Sequence, residues 1–194
     1  MRIAVYAIAL NEETHVERWY ESCKAADHII LLDTGSTDQT LRIAQRLGIT
    51  TRQQRFDPFD FAKARNAALS LVPDSVDICI TLDLDEVLHD GWREAFDALP
   101  AGVTRPRFKY IYNRQPDESE GLVYAHHATH HRHGYEWRGS IHEAVCRKAD
   151  AGAEVEAWCD AVAEHKPDAS KSRDQYLAML EAVSYTHLTL PTKA

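Results

Sequence analysis

The sequence predicts an α/β fold: a Rossmann-like, mostly parallel sheet with helices on both faces, followed by a smaller antiparallel portion. Three observations support this prediction. Short apolar runs alternate with amphipathic helical segments over roughly the first 85 residues, which implies parallel strands joined by crossover helices. Polar and acidic residues follow the apolar runs, at the strand ends where such sheets bind ligands. After residue 90 the apolar runs are strand-like and are separated by turn residues.

The first strand and helix are predicted between residues 2 and 26. The run RIAVYAIAL, residues 2–10, is apolar and short, as expected of a buried strand. Asn11 is expected to cap the following helix, with Glu12 and Glu13 favourable in its first turn. Apolar residues then recur at helical spacing, so we expect this helix to continue to about residue 26.

The next elements complete a β-α-β-α-β-α-β pattern. The run HIILL predicts a second buried strand that ends at Asp33, and a tight turn follows it. A helix is expected from about residue 38 to residue 47, where Gly48 stops it. Residues 49–52 form a short strand, apolar residues between 61 and 71 mark a third helix, and residues 76–82 form another buried strand.

The second half of the chain is expected to be mainly strands. A short helix around residues 92–99 is followed by two strands, residues 105–112 and 122–129, which we expect to be antiparallel. Residues 137–145 are a further candidate strand. Residues 155–165 fit either a strand or a helix, and a strand is favoured. A final helix is expected around residues 176–180.

Composition limits the class of protein. The chain has 194 residues, of which 44% are hydrophobic and 27% charged, as in soluble globular domains. The net charge of −8 argues against broad attraction to nucleic acid or anionic lipid. No apolar run approaches the ~20 residues of a membrane span, and the start does not resemble a signal peptide. Four cysteines without a CxxC pair fit a reducing cytoplasm.

The last twelve residues, VSYTHLTLPTKA, do not fit the rest of the chain. They resemble a translated sequencing adapter, so residues 183–194 are treated as an artefactual tail. The natural protein is therefore expected to continue past residue 182 with a different sequence.

The most conspicuous polar feature is the acidic segment LDLDE at the end of the fourth strand. If the chain stays extended there, Asp83 and Asp85 project to the same face. Two carboxylates so placed suit Mg²⁺ or Mn²⁺ bound together with substrate phosphates. The alternative is a solvated acidic turn, which is common for an isolated DxD.

Two other segments carry candidate ligand-binding groups. Asp33, at the end of the second strand, can accept a hydrogen bond from a nucleobase or ribose; alternatively, DTGSTDQT is only a capped strand-to-helix turn. In the third helix, Lys63 and Arg65 are positioned to reach a nucleotide, or they lie on a solvated face.

Four motifs together resemble family two glycosyltransferases with the GT-A fold. They are ALNEE at 9–13, DTGSTDQT at 33–40, FAKARNAAL at 61–69 and LDLDEVL at 82–88, and they look closest to a bacterial branch of that family. Leu10 is a departure, since that branch often has lysine there. The resemblance implies a single catalytic domain, residues 1–182, with a nucleotide-sugar-binding half (1–90) and an acceptor and metal-closing half (91–182).

The resemblance also implies roles for individual residues. Asp33 would bind the nucleobase or ribose, and Arg65 the nucleotide. Asp83 and Asp85 would form the DxD motif around Mn²⁺ or Mg²⁺, with Asp85 the stronger ligand. Glu143, in a "W…HE" element, resembles the catalytic base, and His165 a histidine that closes the metal site. The other substrate-binding positions expected are Ala9, Asn11, Glu12, Ser36, Lys63 and Trp137.

A histidine-rich stretch, AHHATHHRH at 125–133, raises the alternative of a zinc site. His126 and His130 are four residues apart, but no convincing third ligand accompanies them. We favour a polar strand or loop at the acceptor side.

These observations predict a cytoplasmic, metal-dependent, inverting glycosyltransferase with a UDP-linked donor and a glycan, lipid-linked or protein acceptor, working in cell-surface glycan synthesis. Peripheral association with a membrane is left open. One rival is a nucleotidyltransferase, although ALNEE lacks the glycine-rich basic loop such enzymes need. The other rival is a non-catalytic module that binds nucleotide-sugars.

Overall fold

The computed structural model describes residues 1–167. Within them lie four helices: α1 (Val16–Cys23), α2 (Thr40–Arg46), α3 (Phe61–Leu69) and α4 (Trp92–Asp97). The strands of the same residues are β1 (Ile3–Ala9), β2 (His28–Asp33), β3 (Thr50–Gln53), β4 (Ile78–Thr81), β5 (Glu86–Leu88), β6 (Arg105–Ile111), β7 (Val123–His126), β8 (Thr129–His131), β9 (Tyr135–Arg138), β10 (Ala144–Arg147) and β11 (Glu156–His165).

The central sheet has the strand order β3-β2-β1-β4-β8. Its first four strands are parallel, and β8 pairs antiparallel with β4 at one edge. In register, Ala9 lies opposite Asp33, so the loops after β1 and β2 leave the sheet side by side. The mostly parallel sheet is confirmed. Its carboxyl edge is where the polar motifs emerge.

Helices cover both faces of the central sheet, as predicted. On one face the core contains Trp19 of α1, Ala44 of α2 and Phe96 of α4. On the other face, α3 packs through small residues, among them Ala64 and Ala68, which are fully buried. Small side chains let α3 approach the sheet closely, which brings polar groups of that helix to the carboxyl edge.

A second, four-stranded sheet has the order β5-β11-β6-β7. The pairs β6–β7 and β5–β11 are antiparallel, whereas β6 and β11 are parallel. A separate hairpin is formed by β9 and β10. In the β5–β11 pair, His165 lies opposite Glu86, so the end of β11 contacts the acidic segment after β4. The strand prediction for residues 155–165 is confirmed.

Three expectations about local structure were wrong. The first helix begins at Val16, because Asn11 has a left-handed backbone (φ 56°) that is incompatible with capping a helix there. The segment 137–145 is not a single strand: it holds the end of β9, a turn over residues 139–143 and the start of β10. Residues 122–129 also divide, since β7 joins the second sheet and Thr129 begins β8 in the central sheet.

The acidic segment is a turn and not an extended strand. The backbone N–H of Glu86 donates to the carbonyl of Asp83 at 2.9 Å, and the Glu86 carboxylate accepts from Asp83 N–H at 2.8 Å. The expectation that Asp83 and Asp85 project from an extended chain was therefore wrong. They leave the same turn in different directions.

Two predictions lie outside the described residues: the helix around residues 176–180 and the tail at 183–194. Within residues 1–167, no helix has the length and hydrophobicity needed to cross a membrane.

Candidate active site

A cavity of about 640 Å³ opens at the carboxyl edge of the central sheet. Its wall is formed by the loop after β1, Thr34, residues from the loop before α3, Arg65, the acidic turn and the loop between β9 and β10. The size lies within the range of small-molecule sites, about 300–1,000 Å³. The cavity thus joins segments from both halves of the chain where the sequence predicted a ligand.

Arg65 is at the centre of the polar wall. Its guanidinium makes a bidentate ion pair with Asp83, at 2.8 and 3.0 Å, and its Nε donates to Glu143 Oε1 at 2.6 Å. Burial alone would lower the pKa of Arg65, but the two carboxylates raise it well above its usual value. One buried cation therefore holds two of the predicted functional acids.

The helix that carries Arg65 is fastened to the β9–β10 hairpin by Asn66. Its amide donates to the carbonyl of Trp137 at 2.8 Å and accepts from Trp137 N–H at 2.9 Å, as a neighbouring strand would. The Arg65 guanidinium lies 4.9 Å above the indole ring of Trp137. The FAKARN segment thus places the Arg65 guanidinium and the Asn66 amide, which binds the hairpin backbone, on the face of α3 toward the hairpin.

Trp137 was expected to contact substrate, and that expectation is not supported. The residue is only 6% exposed and does not line the cavity. Its indole N–H donates to the hydroxyl of Tyr6 at 2.7 Å, within the core on the α3 side of the central sheet. Trp137 supports Arg65 from behind because the apolar face of the hairpin packs inward.

Asp85 and His165 form a second polar pair. Asp85 Oδ2 lies 3.1 Å from His165 Nε2, and the ring of His165 stacks on Tyr112 at 5.1 Å. Burial opposes ionisation of Asp85, yet the hydrogen bond with His165 lowers its pKa. The same hydrogen bond raises the pKa of His165. Pairing of β5 with β11 brings these two residues together.

The side chains at this site provide only part of a ligand set for a divalent cation. Within residues 1–167, no three His, Cys, Asp or Glu side chains are close enough to form a complete protein ligand set. The expected trio of Asp83, Asp85 and His165 is corrected, because Asp83 is bound by Arg65. Asp85 and His165 remain side by side, and Mg²⁺-type ions typically use one or two carboxylates plus substrate phosphates.

The loop after β1 is tied to the turn after β2. The carbonyl of Ala9 accepts from Thr34 N–H at 2.8 Å. Asn11 N–H donates to Ser36 Oγ at 2.8 Å, and Asn11 Oδ1 accepts from Thr37 N–H at 2.8 Å. Ala9 lines the cavity itself, whereas Asn11 and Ser36 do not line it and instead tie the two loops together.

Glu12 also lines the cavity, and its backbone N–H donates to Thr40 Oγ1 at 2.7 Å, at the start of α2. This backbone hydrogen bond fixes the position of the loop.

Asp33 was expected to face the ligand, but its side chain has no exposed surface and does not line the cavity. Its carboxylate accepts from the backbone N–H groups of Gly35 and Ser36, each at 3.2 Å, and from Gln53 Nε2 at 2.7 Å. The turn itself uses the carboxylate because Gly35 adopts φ +127° and folds the chain back over it. Direct contact between Asp33 and a nucleobase is therefore not supported.

Lys63 was expected to reach the ligand, but its side chain does not line the cavity. Its side chain is 70% exposed and lies 3.6 Å from Asp60, the residue that caps α3. Two residues correspond to about 200° of helix rotation, so Lys63 and Arg65 point in nearly opposite directions. Helical geometry therefore allows only one of the two cations to face the cavity.

Sequence reasoning missed the aromatic side of the cavity. Phe56, Phe59 and Phe61 line it, with edge-to-face contacts of 6.3 Å between the first two rings and 4.9 Å between the last two. The segment RFDPFDF was the available signal, since it follows β3 at the ligand-binding edge. Ile141 and His142 complete the wall beside Glu143.

The histidine-rich stretch was expected to be a polar strand or loop at the acceptor side; it contributes to strands β7 and β8, but two of its histidines are core residues. His126 is 6% exposed and stacks on Phe108 at 4.5 Å, and His130 is fully buried. His130 Nδ1–H donates to the carbonyl of His131 at 2.8 Å, so its Nε2 accepts from the Tyr6 hydroxyl at 2.9 Å. Burial lowers the pKa of His126 to about 3 and that of His130 to about 4. Both are neutral core residues.

Comparison with known proteins gives one family. Residues 5–99 match the family described as Glycosyl transferase family 2. No protein of curated function matches the sequence.

Solved structures show the same fold. Glucosyl-3-phosphoglycerate synthase from Mycobacterium tuberculosis, in complex with Mn²⁺ and UDP-glucose, is 20% identical, with a TM-score of 0.55 over 97% of this chain and 78% of its own. Its complex with Mn²⁺, UDP and glucosyl-3-phosphoglycerate is also 20% identical, with a TM-score of 0.54 over 97% of this chain and 79% of its own. TarS from S. aureus is 19% identical, with a TM-score of 0.50, over 63% of this chain. The chain spans only 23% of TarS.

Proposed function

We propose, on the premise that this chain belongs through its residues 5–99 to glycosyl transferase family 2, that it transfers a sugar from a nucleoside-diphosphate sugar to an acceptor hydroxyl. The observation that carries the proposal is the convergence of Arg65, Asp85 and Glu143 on one cavity at the carboxyl edge of the sheet. A binding module alone would not need a carboxylate held at the cavity wall by the same arginine that binds the acidic turn.

The cavity has two chemically different sides. Phe56, Phe59 and Phe61 present aromatic surface suited to the faces of a nucleobase or a sugar ring. Arg65 and Asp85 present charge suited to a diphosphate and its counter-ion. A nucleoside-diphosphate sugar is a molecule with this same division. UDP is the expected nucleotide, and the Mycobacterium synthase of the same fold, crystallised with UDP-glucose, makes UDP-glucose the first donor to test.

Asp85 and His165 are the residues we expect to hold Mn²⁺ or Mg²⁺. Bound there, the cation would offset the negative charge that develops on the departing nucleoside diphosphate. Asp83 has a different task in this proposal, since its bidentate contact fixes the guanidinium plane of Arg65. Arg65 can then donate to a phosphate oxygen through the N–H groups that the acids leave available.

Glu143 is proposed as the general base. It lines the cavity, and the Arg65 Nε contact at 2.6 Å fixes the orientation of its carboxylate. The acceptor hydroxyl oxygen would attack the anomeric carbon while the bond from that carbon to the diphosphate breaks. Glu143 would take the hydroxyl proton. Attack from the face opposite the leaving group inverts the anomeric configuration. The proposed acceptor is a glycan, a lipid-linked molecule or a protein. The proposed pathway is cell-surface glycan synthesis, and the proposed compartment is the cytoplasm.

Donor binding tests the first half of the proposal. UDP should bind the full chain in the presence of Mn²⁺ or Mg²⁺ and far more weakly in EDTA, as measured by isothermal titration calorimetry. Asp85→Asn should remove most of the gain due to metal, because an amide is a much poorer ligand for a hard cation. Equal affinity for UDP with and without metal would remove the cation from the proposal.

Turnover tests the second half. Glu143→Gln should keep UDP and metal binding but lower the release of UDP from a UDP-sugar by about 10²-fold or more, the usual effect of a positioned general base. Glu136→Gln, on the exposed side of the same hairpin, is the matched control and should leave turnover unchanged. If Glu143→Gln lowers only donor affinity, Glu143 is a binding residue and the base lies elsewhere.

A further inference from the structure

A second cavity, of about 510 Å³, lies beside the first. Its wall includes Arg18 of α1, Arg114, and the end of β11 from Glu164 to Lys166. His165 belongs to this wall, while its hydrogen-bond partner Asp85 lines the first cavity. The Asp85–His165 pair therefore separates the two cavities, and a molecule in the second would lie against the proposed cation site.

The charge of this cavity is opposite to that of the whole chain. Three cations, Arg18, Arg114 and Lys166, accompany one carboxylate, that of Glu164, in a protein whose net charge is −8. A local positive surplus in an acidic protein favours an anionic ligand at this place.

The single carboxylate is already fully engaged. Glu164 receives two hydrogen bonds from Arg114, at 2.7 and 2.9 Å, and lies 2.8 Å from both Lys166 Nζ and His89 Nε2. Its side chain is only 5% exposed. Glu164 therefore acts as an anchor that holds Arg114 and Lys166 in the wall, and it is not available to repel an anion from outside.

Arg18 is the cation that this arrangement leaves for a ligand. Its Nη2 donates to the carbonyl of Lys166 at 2.7 Å and lies 3.3 Å from His15 Nδ1. Across residues 1–167 the guanidinium of Arg18 forms no ion pair. An arginine has five N–H donors, so several remain for the oxygens of a phosphate or carboxylate.

We propose that this second cavity binds a phosphate or carboxylate group of the acceptor, with Arg18 as its principal contact and Lys166 beside it. Only the assignment of this anionic group to the acceptor rests on the proposed function; the binding of an anion in the cavity does not. Phosphate could also come from the donor, but the donor's diphosphate has its own cationic partners in the first cavity, so the acceptor is the better assignment. An acceptor held here would approach along the Asp85–His165 pair.

Inorganic phosphate is the probe, titrated calorimetrically into the full chain at constant ionic strength, with Mg²⁺ throughout, before and after saturation with UDP. Phosphate should bind equally in both states. Arg18→Gln should weaken it by about tenfold or more, the effect of a lost hydrogen bond to a charged group. Arg46→Gln, an exposed arginine on neighbouring α2, should leave it unchanged. If Arg18→Gln does not fold, Lys166→Gln takes its place under the same criterion.

Three results would overturn the inference. They are no binding of phosphate to the wild type at millimolar concentration, binding by Arg18→Gln as tight as that by the wild type, and displacement of phosphate by saturating UDP. Displacement would place the anion in the donor cavity. Because phosphate binding needs neither turnover nor UDP, the titration is informative even if the proposed transfer reaction fails its own tests.

Discussion

At the scale of single residues, Arg65 determines the geometry of the candidate site. Its side chain is 9% exposed and that of Glu143 13%, so their ion pair is largely removed from water. Asp83 is more open, with its side chain 43% exposed. A pair that is shielded from solvent is strongly destabilised when one partner is lost, whereas an exposed pair contributes little.

The Arg65–Glu143 pair can be tested by a double-mutant cycle on the free energy of unfolding in urea. Arg65→Met should cost about 3–5 kcal/mol, because it leaves Glu143 charged and unpaired at a desolvated position. Adding Glu143→Met should recover part of that loss, with a coupling of about 1–3 kcal/mol. Arg138→Met, which breaks an exposed pair with Glu136, should cost less than about 1 kcal/mol. Additive losses for Arg65 and Glu143 would contradict the pair.

At the scale of elements, the site depends on how the β9–β10 hairpin is attached to β1 and α3. Asn66 fixes the backbone of Trp137, and Tyr6 fixes its indole. Tyr6 in turn donates to His130 of β8, so one hydroxyl connects the hairpin, the first strand and an edge strand. Because Tyr6, Trp137 and His130 are buried, each of their polar side-chain atoms needs its partner.

Removing that hydroxyl should destabilise the protein out of proportion to its size. Tyr6→Phe leaves the Trp137 N–H and His130 Nε2 without their partner, and each buried unsatisfied group costs about 1–3 kcal/mol. We therefore expect a loss of roughly 2–4 kcal/mol in the free energy of unfolding. Tyr124→Phe, at a tyrosine that is 41% exposed, should change it by less than about 0.5 kcal/mol. Equal effects of the two substitutions would argue against the network.

At the scale of the whole molecule, the buried histidines make folding depend on pH. Burial lowers the pKa of His130 from 6.5 to about 4. Between these values the unfolded chain binds a proton that the folded protein does not, so stability is complete above pH 6.5 and falls as the pH drops toward 4. For His130 alone the loss is on the order of 3 kcal/mol at pH 4.

Urea unfolding of the wild type at several pH values between 7 and 4 should show this loss, together with contributions from other groups. His130→Gln should be less stable at pH 7 but should lose less stability on acidification, because the titrating group is gone. An unchanged slope in His130→Gln would show that this imidazole is not buried in its neutral form.

The sequence by itself determined the four parallel strands of the central sheet and the edge at which the candidate site lies. Apolar runs and helical repeats are local signals, and parallel strands joined by helices must end at a common edge. Arg65 and Asp85 were identified as candidates from their place in this pattern, and Glu143 from its resemblance to the catalytic carboxylate of the family. Where local backbone deviated, as at Asn11 with its positive φ, the helix boundary was wrong, because nothing nearby in the sequence indicates such a conformation.

Only the tertiary structure decided which polar groups meet. Arg65 and Glu143 are 78 positions apart, and Asp85 and His165 are 80 apart. Their contacts depend on strand pairing and on the docking of a hairpin against α3, which are long-range choices with no local signal. Burial decided the roles of Asp33 and Trp137, which resemble ligand contacts in their motifs. Both are buried, and their polar atoms form hydrogen bonds within the turn and the core, because a buried polar group without a partner is costly.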